Sequence, residues 1–300
     1  MNIAILSKGT KNYSTQRLVE EAKLRGHDVR VINYAKCFVT LEQNNPIVNY
    51  KGEIVTNVDA VIPRISSNLT MYGSSIVRQF EMQNAFTTTS SISIVRARDK
   101  LRSMQLLSKS GVGIPKTVFA RETGEYEGVL EQVGGAPVII KIARGTHGRG
   151  VVLAETRKAA LAVMQAFNAE GVNFLVQEYI AESRGEDIRA FVVNGKVVAS
   201  MMRKSSEDDF RSNLHQGGEG RIVKLSDVER RTAQKAAKTI GLTIAGVDML
   251  RSDRGPLVLE VNASPGFGIE KVTGRNVAAS IIEYTERSAK TGRRKDKVGA

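Results

Sequence analysis

The chain has 300 residues, 41% of them hydrophobic, which is enough for one large domain or for two to three packed domains. It contains one cysteine, Cys37, so an intramolecular disulfide framework is excluded and a reducing, cytoplasmic location is expected. The formal net charge of +13 favours anionic partners such as nucleotide phosphates, an acidic peptide or nucleic acid. Because no apolar run is long enough to cross a bilayer, no membrane association is expected.

The first third of the chain alternates strands and helices, which predicts a small α/β layer with a parallel sheet. The predicted strands lie at 2–6, 28–33 and 58–63, and the predicted helices at 14–25, 69–84 and 92–110. After residue 114 the pattern changes to closely spaced strand pairs, 138–142 with 151–154 and 188–193 with 196–202, with helices at 156–169 and 226–240. This second pattern predicts an α+β region with two subdomains and a cleft between them.

Two strands near the end of the chain carry the strongest chemical signal. In the strand 257–262, Glu260 and Asn262 point to the same side because side chains alternate along a strand. A second strand, 245–250, contributes Asp248, and pairing of the two strands would bring the three side chains together. Hard oxygen donors of this kind suit Mg²⁺, which takes substrate phosphates among its remaining ligands. The competing interpretation is a solvent-facing carboxylate on each strand.

A lysine and a glycine-rich loop form the second signal. Lys141 ends the strand 138–142, and the loop 145–150 follows with three glycines. Glycines allow backbone amides to approach phosphate oxygens, and the lysine supplies a point charge. The loop is not a Walker loop, because no helix opens after a Gly-Lys-Ser/Thr triplet. An ordinary glycine-rich hairpin remains the alternative.

Further polar residues lie at the end of the predicted strand 175–180 and in the loop after it. Glu178 and Tyr179 lie at its end, where backbone groups are placed to pair with an adenine ring, and Asp187 is placed to accept from ribose hydroxyls. A surface turn is the alternative for this segment. Donors suited to phosphate or carboxylate then cluster ahead of a glycine pair, namely Arg211, Ser212 and Asn213.

Taken together, these motifs resemble the ATP-grasp superfamily of carboxylate–amine ligases and, within it, the RimK-type family of ribosomal-protein glutamate ligases. The resemblance rests on segments along almost the whole chain, namely 62–64, 78–82, 97–107, 134–137, 177–180, 209–215, 246–248 and 260–266. It implies a mixed α/β and α+β fold. The implied division is a pre-ATP-grasp α/β domain at 1–96, an ATP-grasp domain of two subdomains with ATP between them at 97–287, and a basic, disordered tail at 288–300.

The resemblance also implies roles for individual residues. The implied catalytic residues are Lys141 and Arg203, the latter as a clamp on an acyl phosphate. The implied nucleotide-binding residues are Lys100, Lys141, Glu178, Tyr179, Asp187, Arg211, Ser212 and Asn213. The implied ligands of two Mg²⁺ or Mn²⁺ ions are Asp248, Glu260 and Asn262, with Glu260 bridging both ions.

The activity that the resemblance implies is ATP-dependent addition of glutamate, by α-peptide linkage, to the C terminus of a protein. The implied acceptor is small-subunit ribosomal protein number six, whose C terminus is acidic, and free glutamate supplies the amine. A homo-oligomer is expected, and the basic tail either contacts RNA or only solubilises the chain. Three alternatives stay open: a ligase with a small-molecule or poly-glutamate acceptor, a kinase, and a non-catalytic ATP-binding protein.

Overall fold

The computed structural model describes residues 1–121, 124–142, 150–183, 185–204 and 219–291. Its first part contains a parallel four-stranded sheet in the order β2-β1-β6-β7, packed against helices. The strands are β1 (Asn2–Ser7), β2 (Asp28–Ile32), β3 (Cys37–Glu42), β4 (Asn45–Tyr50), β5 (Glu53–Ile54), β6 (Ala60–Arg64) and β7 (Phe86–Thr87). The helices are α1 (Tyr13–Leu24), α2 (Thr70–Met82) and α3 (Ser91–Arg98). The predicted α/β layer is confirmed.

The middle part is an antiparallel sheet in the order β10-β9-β11-β8, which two helices cover. Its strands are β8 (Thr117–Ala120), β9 (Val138–Ile142), β10 (Val151–Ala154) and β11 (Phe174–Glu178). Its helices, with the one that precedes them, are α4 (Lys100–Lys109), α5 (Tyr126–Gln132) and α6 (Arg157–Ala169). The apolar sides of α5 and α6 and of the sheet enclose a core of their own, which includes Ile140, Met164 and Phe174.

The last part is a five-stranded antiparallel sheet in the order β14-β13-β12-β15-β16. Its strands are β12 (Glu186–Val193), β13 (Lys196–Lys204), β14 (Glu219–Ile222), β15 (Ile244–Leu250) and β16 (Leu257–Asn262). Its helices are α7 (Asp227–Ile240), α8 (Gly268–Thr273) and α9 (Val277–Thr291). The turn between β12 and β13 is Asn194-Gly195, whose φ angles of 47° and 73° are typical of the hairpin turn that this dipeptide favours.

Two elements differ from the sequence-based prediction. A single helix over 92–110 is wrong, because the structure divides it at Asp99 into α3 and α4. Asp99 has an extended backbone, with φ −86° and ψ 102°, and its carboxylate accepts a hydrogen bond from the Arg102 amide at 3.0 Å. It is therefore an N-cap that starts a new helix. The second difference is the sheet β3-β4-β5, which was not predicted.

Buried side chains connect the first and last parts of the molecule. One cluster contains Ala4 and Val61 from the parallel sheet together with Val247 and Val261 from the last sheet. A second cluster joins the other face of the parallel sheet to α9. Cys37 is a buried thiol, and burial raises its pKa to about 11, so it remains protonated at neutral pH. None of the helices within the described ranges has the length and apolarity that a membrane crossing requires.

Candidate active site

The pairing of β15 with β16 brings the three predicted metal ligands to one region. Asp248 lies opposite Glu260 and Gly246 lies opposite Asn262 in the antiparallel register, with an irregularity directly after Asp248. Glu260 is exposed and accepts a hydrogen bond of 2.9 Å from the Asn262 carboxamide. Because directly opposite residues share a face of the sheet, Asp248, Glu260 and Asn262 lie on the same face.

Asp248 belongs to a buried network of alternating charges on β12, β13 and β15. Arg189 Nε donates to Asp248 Oδ1 at 2.6 Å, and the second guanidinium nitrogen of Arg189 binds Asp248 Oδ2. Arg203 Nη2 lies 3.0 Å from the same Oδ2 atom. Arg203 also donates two parallel hydrogen bonds of 2.6 Å each to the carboxylate of Asp187. This network is the geometry expected of strong, forked arginine–carboxylate pairs.

The two arginines of the network keep the buried carboxylate of Asp248 ionised. Burial alone would raise the pKa of Asp248, but the charges and hydrogen bonds of Arg189 and Arg203 lower it to about 2. Burial would likewise lower the pKa of Arg203, and Asp248 and Asp187 raise it above its ordinary value instead. Arg203 therefore remains a cation fixed between two carboxylates.

Two lysines approach the same region from other elements. Lys141, on β9, donates to Gln177 Oε1 at 2.7 Å, and Lys100, on α4, donates to the carbonyl of Ile142 at 3.2 Å. Burial lowers the pKa of Lys141 to about 8; the charge of Glu260 opposes this change and that of Lys100 adds to it. Burial also lowers the pKa of Lys100, and Glu260 again opposes the change. The two ammonium groups and Glu260 thus lie within each other's electrostatic reach.

Gln177 is a residue that the sequence-based prediction did not assign to the site. It is buried on β11, and besides accepting from Lys141 it donates to the hydroxyl of Thr117 at 2.9 Å. The signal was present in the sequence, because Gln177 is a polar side chain in an otherwise apolar strand. A buried polar side chain in such a strand requires a hydrogen-bond partner, and here the partner is the lysine.

The remaining predicted residues lie at or beyond this region. Glu178 ends β11, where its carboxylate accepts from the Lys116 amide at 2.7 Å and pairs with Arg254. Tyr179 follows it and is half-buried. Arg211, Ser212, Asn213 and residues 145–149 of the glycine-rich loop lie outside the described residues. A separate cavity of about 340 Å³, lined in part by Ile188 and Met202, contains none of the predicted site residues.

The donor set near Glu260 fits a hard divalent cation. The Asn262 side chain contacts the exposed carboxylate of Glu260 through its amide nitrogen, and the carboxylate of Asp248 is on the same face. All three supply oxygen, the ligand that Mg²⁺ and Mn²⁺ prefer. Within the described part of the chain, no group of three or more His, Cys, Asp and Glu side chains is placed to hold a metal ion.

Comparison with known proteins agrees with this geometry. A model of the RimK-like ATP-grasp domain matches residues 97–285, and a model of the RimK PreATP-grasp domain matches residues 1–94. The chain belongs to the RimK-like ATP-grasp family. A relative in this family, the probable alpha-L-glutamate ligase of Picosynechococcus sp., is 53% identical over 99% of both chains.

Solved structures of ATP-grasp proteins share the fold. The ATP-grasp ligase PsnB, complexed with a minimal precursor, superposes with a TM-score of 0.74 at 20% identity, over 95% of this chain and 98% of that chain. A RimK domain ATP-grasp protein from Sphaerobacter thermophilus has a TM-score of 0.71 at 17% identity, over 95% of this chain and 100% of that one. The predicted fold is therefore confirmed: a pre-ATP-grasp domain precedes an ATP-grasp fold. As a family member the chain is a ligase that uses ATP.

Proposed function

We propose that this RimK-like ligase adds glutamate to the C-terminal carboxylate of a protein through an acyl phosphate. The observation that carries the proposal is the convergence of Lys100 and Lys141 on the strand edge formed by Glu260 and Asn262. Lysine ammonium groups beside a set of hard oxygen donors suit a nucleoside triphosphate that is bound together with a divalent metal ion. The relatives named probable alpha-L-glutamate ligase support glutamate as the amine substrate.

The first step is phosphoryl transfer to a carboxylate. A carboxylate oxygen of the acceptor attacks the γ-phosphorus of ATP, the bond to the bridging oxygen breaks, and ADP leaves with that electron pair. Lys100 and Lys141 would hold the phosphate oxygens as negative charge moves from the γ- to the β-phosphate. The contribution of the protein is then positional and electrostatic, and no side-chain nucleophile is needed.

The second step is attack of the glutamate amine on the acyl phosphate. The amine forms the C–N bond, inorganic phosphate leaves, and the amine nitrogen loses a proton. Arg203, a fixed cation, would neutralise charge on the departing phosphate. Free glutamate carries its amine as an ammonium group near pH 7, so this group must give up a proton to a base before the nitrogen can attack.

The remaining proposed roles concern metal and nucleotide. Asp248, Glu260 and Asn262 would hold two Mg²⁺ or Mn²⁺ ions, whose contribution is to neutralise phosphate charge. PsnB has a structure with Mg and ADP, which supports a divalent ion at this kind of site. Residues proposed to line the nucleotide are Glu178 and Tyr179 at the adenine, Asp187 at the ribose, and Arg211, Ser212 and Asn213 near the phosphates.

For the acceptor we propose small-subunit ribosomal protein number six, with an acidic C terminus. The net charge of +13 supports an acidic, lengthening peptide as the substrate, and the precursor peptides bound by PsnB support a peptide acceptor for this fold. We further propose a homo-oligomer in the cytoplasm with domains at 1–96 and 97–287 and a basic tail at 288–300 that either contacts RNA or only solubilises the chain.

The test is intact-mass spectrometry of small-subunit ribosomal proteins after incubation with the ligase, ATP, Mg²⁺ and glutamate. The expected result is a ladder of added glutamyl residues on one protein, absent when Lys141→Ala is used. If ATP is consumed only when glutamate is present but no protein gains mass, the acceptor proposal fails and a small-molecule acceptor replaces it. If ATP consumption does not depend on glutamate, the glutamate ligase proposal itself fails.

A further inference from the structure

Two arginines that no predicted role uses meet where the parallel sheet faces β16. Arg64 ends β6, at the carboxyl edge of the parallel sheet, which is where open α/β sheets bind ligands. Its guanidinium donates to the carbonyl of Pro265 at 2.7 Å and lies 5.0 Å from the centre of the Phe267 ring. Arg64 is therefore fixed against the segment that directly follows the predicted metal ligand Asn262.

The second arginine, Arg98, ends α3 and has unsatisfied hydrogen-bonding capacity. One of its terminal nitrogens donates to the carbonyl of Ile65 at 2.8 Å, while its buried Nε has no partner. The hydroxyl of Ser264, next to Pro265, is also buried without a partner. Buried donors are rarely left unpaired, because each one left so has lost its hydrogen bonds to water without replacement. Both donors belong to residues next to the contact between Arg64 and Pro265, because Ser264 precedes Pro265 and Arg98 binds the carbonyl of Ile65, which follows Arg64.

The charges of this region are not balanced. In the described parts of the chain, no carboxylate oxygen lies within 4.0 Å of a nitrogen of Arg64 or Arg98, although most other arginines near the site have such a partner. Burial, and to a smaller extent the charge of Arg98, lowers the pKa of Arg64 to about 10, so the two guanidinium groups repel each other. Glu260 acts on Arg98 but also on Lys100 and Lys141. One carboxylate therefore faces three cations, Arg98, Lys100 and Lys141.

An anion would both balance this charge and satisfy the unpaired donors. A planar guanidinium binds a carboxylate through two parallel hydrogen bonds, and a serine hydroxyl adds a third donor. Phosphate has a separate set of cations in Lys100 and Lys141, which lie on α4 and β9. Arg64 lies in the region 1–94, in which no nucleotide-binding residue is predicted.

We propose that Arg64, Arg98 and Ser264 form a subsite that binds a carboxylate of the amino-acid or peptide substrate. This inference rests on the proposed ligase function, because that function supplies two carboxylate-bearing substrates. The subsite lies directly beyond Asn262, so a carboxylate held there has the reacting group of the same substrate beside the phosphate-binding lysines.

The test measures equilibrium binding of a short peptide that ends in two glutamates, with a non-hydrolysable ATP analogue and Mg²⁺ present. Arg64→Lys and Arg98→Lys keep the charge but lose the fork, and each is expected to weaken peptide binding about tenfold or more. Ser264→Ala is expected to weaken it by a smaller factor. Affinity for the ATP analogue alone should stay within about twofold of wild type in all three variants, which also reports that they are folded.

Arg102→Lys is the matched control. Arg102 lies in the first turn of α4, four residues after Arg98, and is exposed, so the same substitution there should leave peptide binding unchanged. A second control uses the peptide with its carboxylates converted to amides, which should bind the wild-type protein as weakly as the acidic peptide binds Arg98→Lys. Equal loss of ATP-analogue affinity in Arg64→Lys and Arg98→Lys would show a phosphate subsite and overturn the proposal.

Binding and turnover separate this inference from the proposed function. If the acidic peptide binds and the arginine variants weaken it, while no glutamate is transferred, the subsite stands and the ligase proposal fails. If glutamate is transferred but both arginine variants bind and modify the peptide as wild type does, the ligase proposal stands and the subsite is wrong. If the wild-type protein binds neither glutamate nor the acidic peptide, the subsite is also wrong.

Discussion

The observed arginine pairs of Asp248 and its proposed role as a metal ligand compete for the same oxygen atoms. Both of its carboxylate oxygens bind arginines in the structure, and a divalent cation would need one of them. Its low pKa is compatible with both roles, because an ionised carboxylate pairs with either kind of cation. The arginine pairing therefore keeps Asp248 charged and oriented inside the protein, and metal binding would exchange one arginine contact for a metal contact.

The buried network should dominate local stability. Arg203→Met leaves Asp187 and Asp248 without their shared cation, so we expect unfolding free energy to fall by about 3–5 kcal/mol. The matched control is Arg221→Met, which breaks an exposed pair with Glu186 and should cost less than about 1 kcal/mol. Urea unfolding followed by circular dichroism gives both values. Equal losses in the two variants would show that the network does not act as a buried unit.

The lowered pKa of Lys141 predicts that nucleotide binding depends on pH. Its pKa of about 8 lies below the ordinary value, so the ammonium is charged below pH 8 and neutral above it. Phosphate binding favours the charged form, and affinity for an ATP analogue should therefore fall as pH rises from 7.5 to 9.5, by at most about tenfold per pH unit.

Lys141→Arg is the control for this titration, because arginine stays charged over the whole range. Calorimetric titration at several pH values should give a flat profile for this variant, at whatever affinity its different shape allows. A decline of the same steepness in both proteins would assign the titration to another group.

At the scale of elements, α7 illustrates how a local motif specifies a boundary. Ser226 accepts from the Glu229 amide at 3.2 Å, and the Glu229 carboxylate accepts from the Ser226 amide at 2.7 Å. This capping box can be predicted from Ser-x-x-Glu, and the predicted helix 226–240 agrees closely with the observed Asp227–Ile240. Glu229 also binds Arg251 at 2.6 Å, so the cap ties the start of α7 to the end of β15.

Removing this cap should lower the unfolding free energy by a measurable amount, although no core residue is changed. Ser226→Ala is expected to lower the unfolding free energy by about 1 kcal/mol, because the Glu229 amide loses its acceptor. Ser226→Gly should lower the unfolding free energy by only a few tenths of a kcal/mol, since glycine is tolerated at an N-cap. Chemical denaturation of the three proteins tests the order. A larger loss in the glycine variant would contradict capping as the cause.

The sequence predicted local elements better than their non-local pairing. Side-chain alternation in β16 was sufficient to place Glu260 and Asn262 together, and the pairing of β15 with β16 is confirmed. The contacts of Asp248 with Arg189 and Arg203 could not be predicted, because they depend on the register between three strands distant in the chain. Asp99 could have been recognised as a cap, but the apolar periodicity runs through it. The orientation of Arg64 toward Pro265 depends on tertiary packing alone.

At the scale of the whole molecule, the buried clusters divide the chain in an unexpected way. The first and last parts share two cores, and Glu270 joins them further by accepting from Arg17 at 3.1 Å and capping α9 through the Val277 amide at 2.7 Å. The buried core of the middle sheet, with α5 and α6, is formed by residues that all lie between 120 and 176. The middle sheet should therefore open as a separate unit, while the other two sheets unfold together.

Native-state hydrogen exchange measures this division directly. Without nucleotide, amides of β9 and β11 are expected to exchange with a lower opening free energy than those of β12 and β15, because they protect a smaller, independent core. An ATP analogue with Mg²⁺ should raise the protection of β9 and β11 most, since Lys141 and Glu178 lie on these strands. The analogue binds only the folded form of the middle sheet and therefore stabilises that form against opening. In Lys141→Ala this gain should shrink, whereas protection of β12 stays as in wild type. A single opening free energy shared by all three sheets would show that the molecule unfolds as one unit and that the separate core has no thermodynamic meaning.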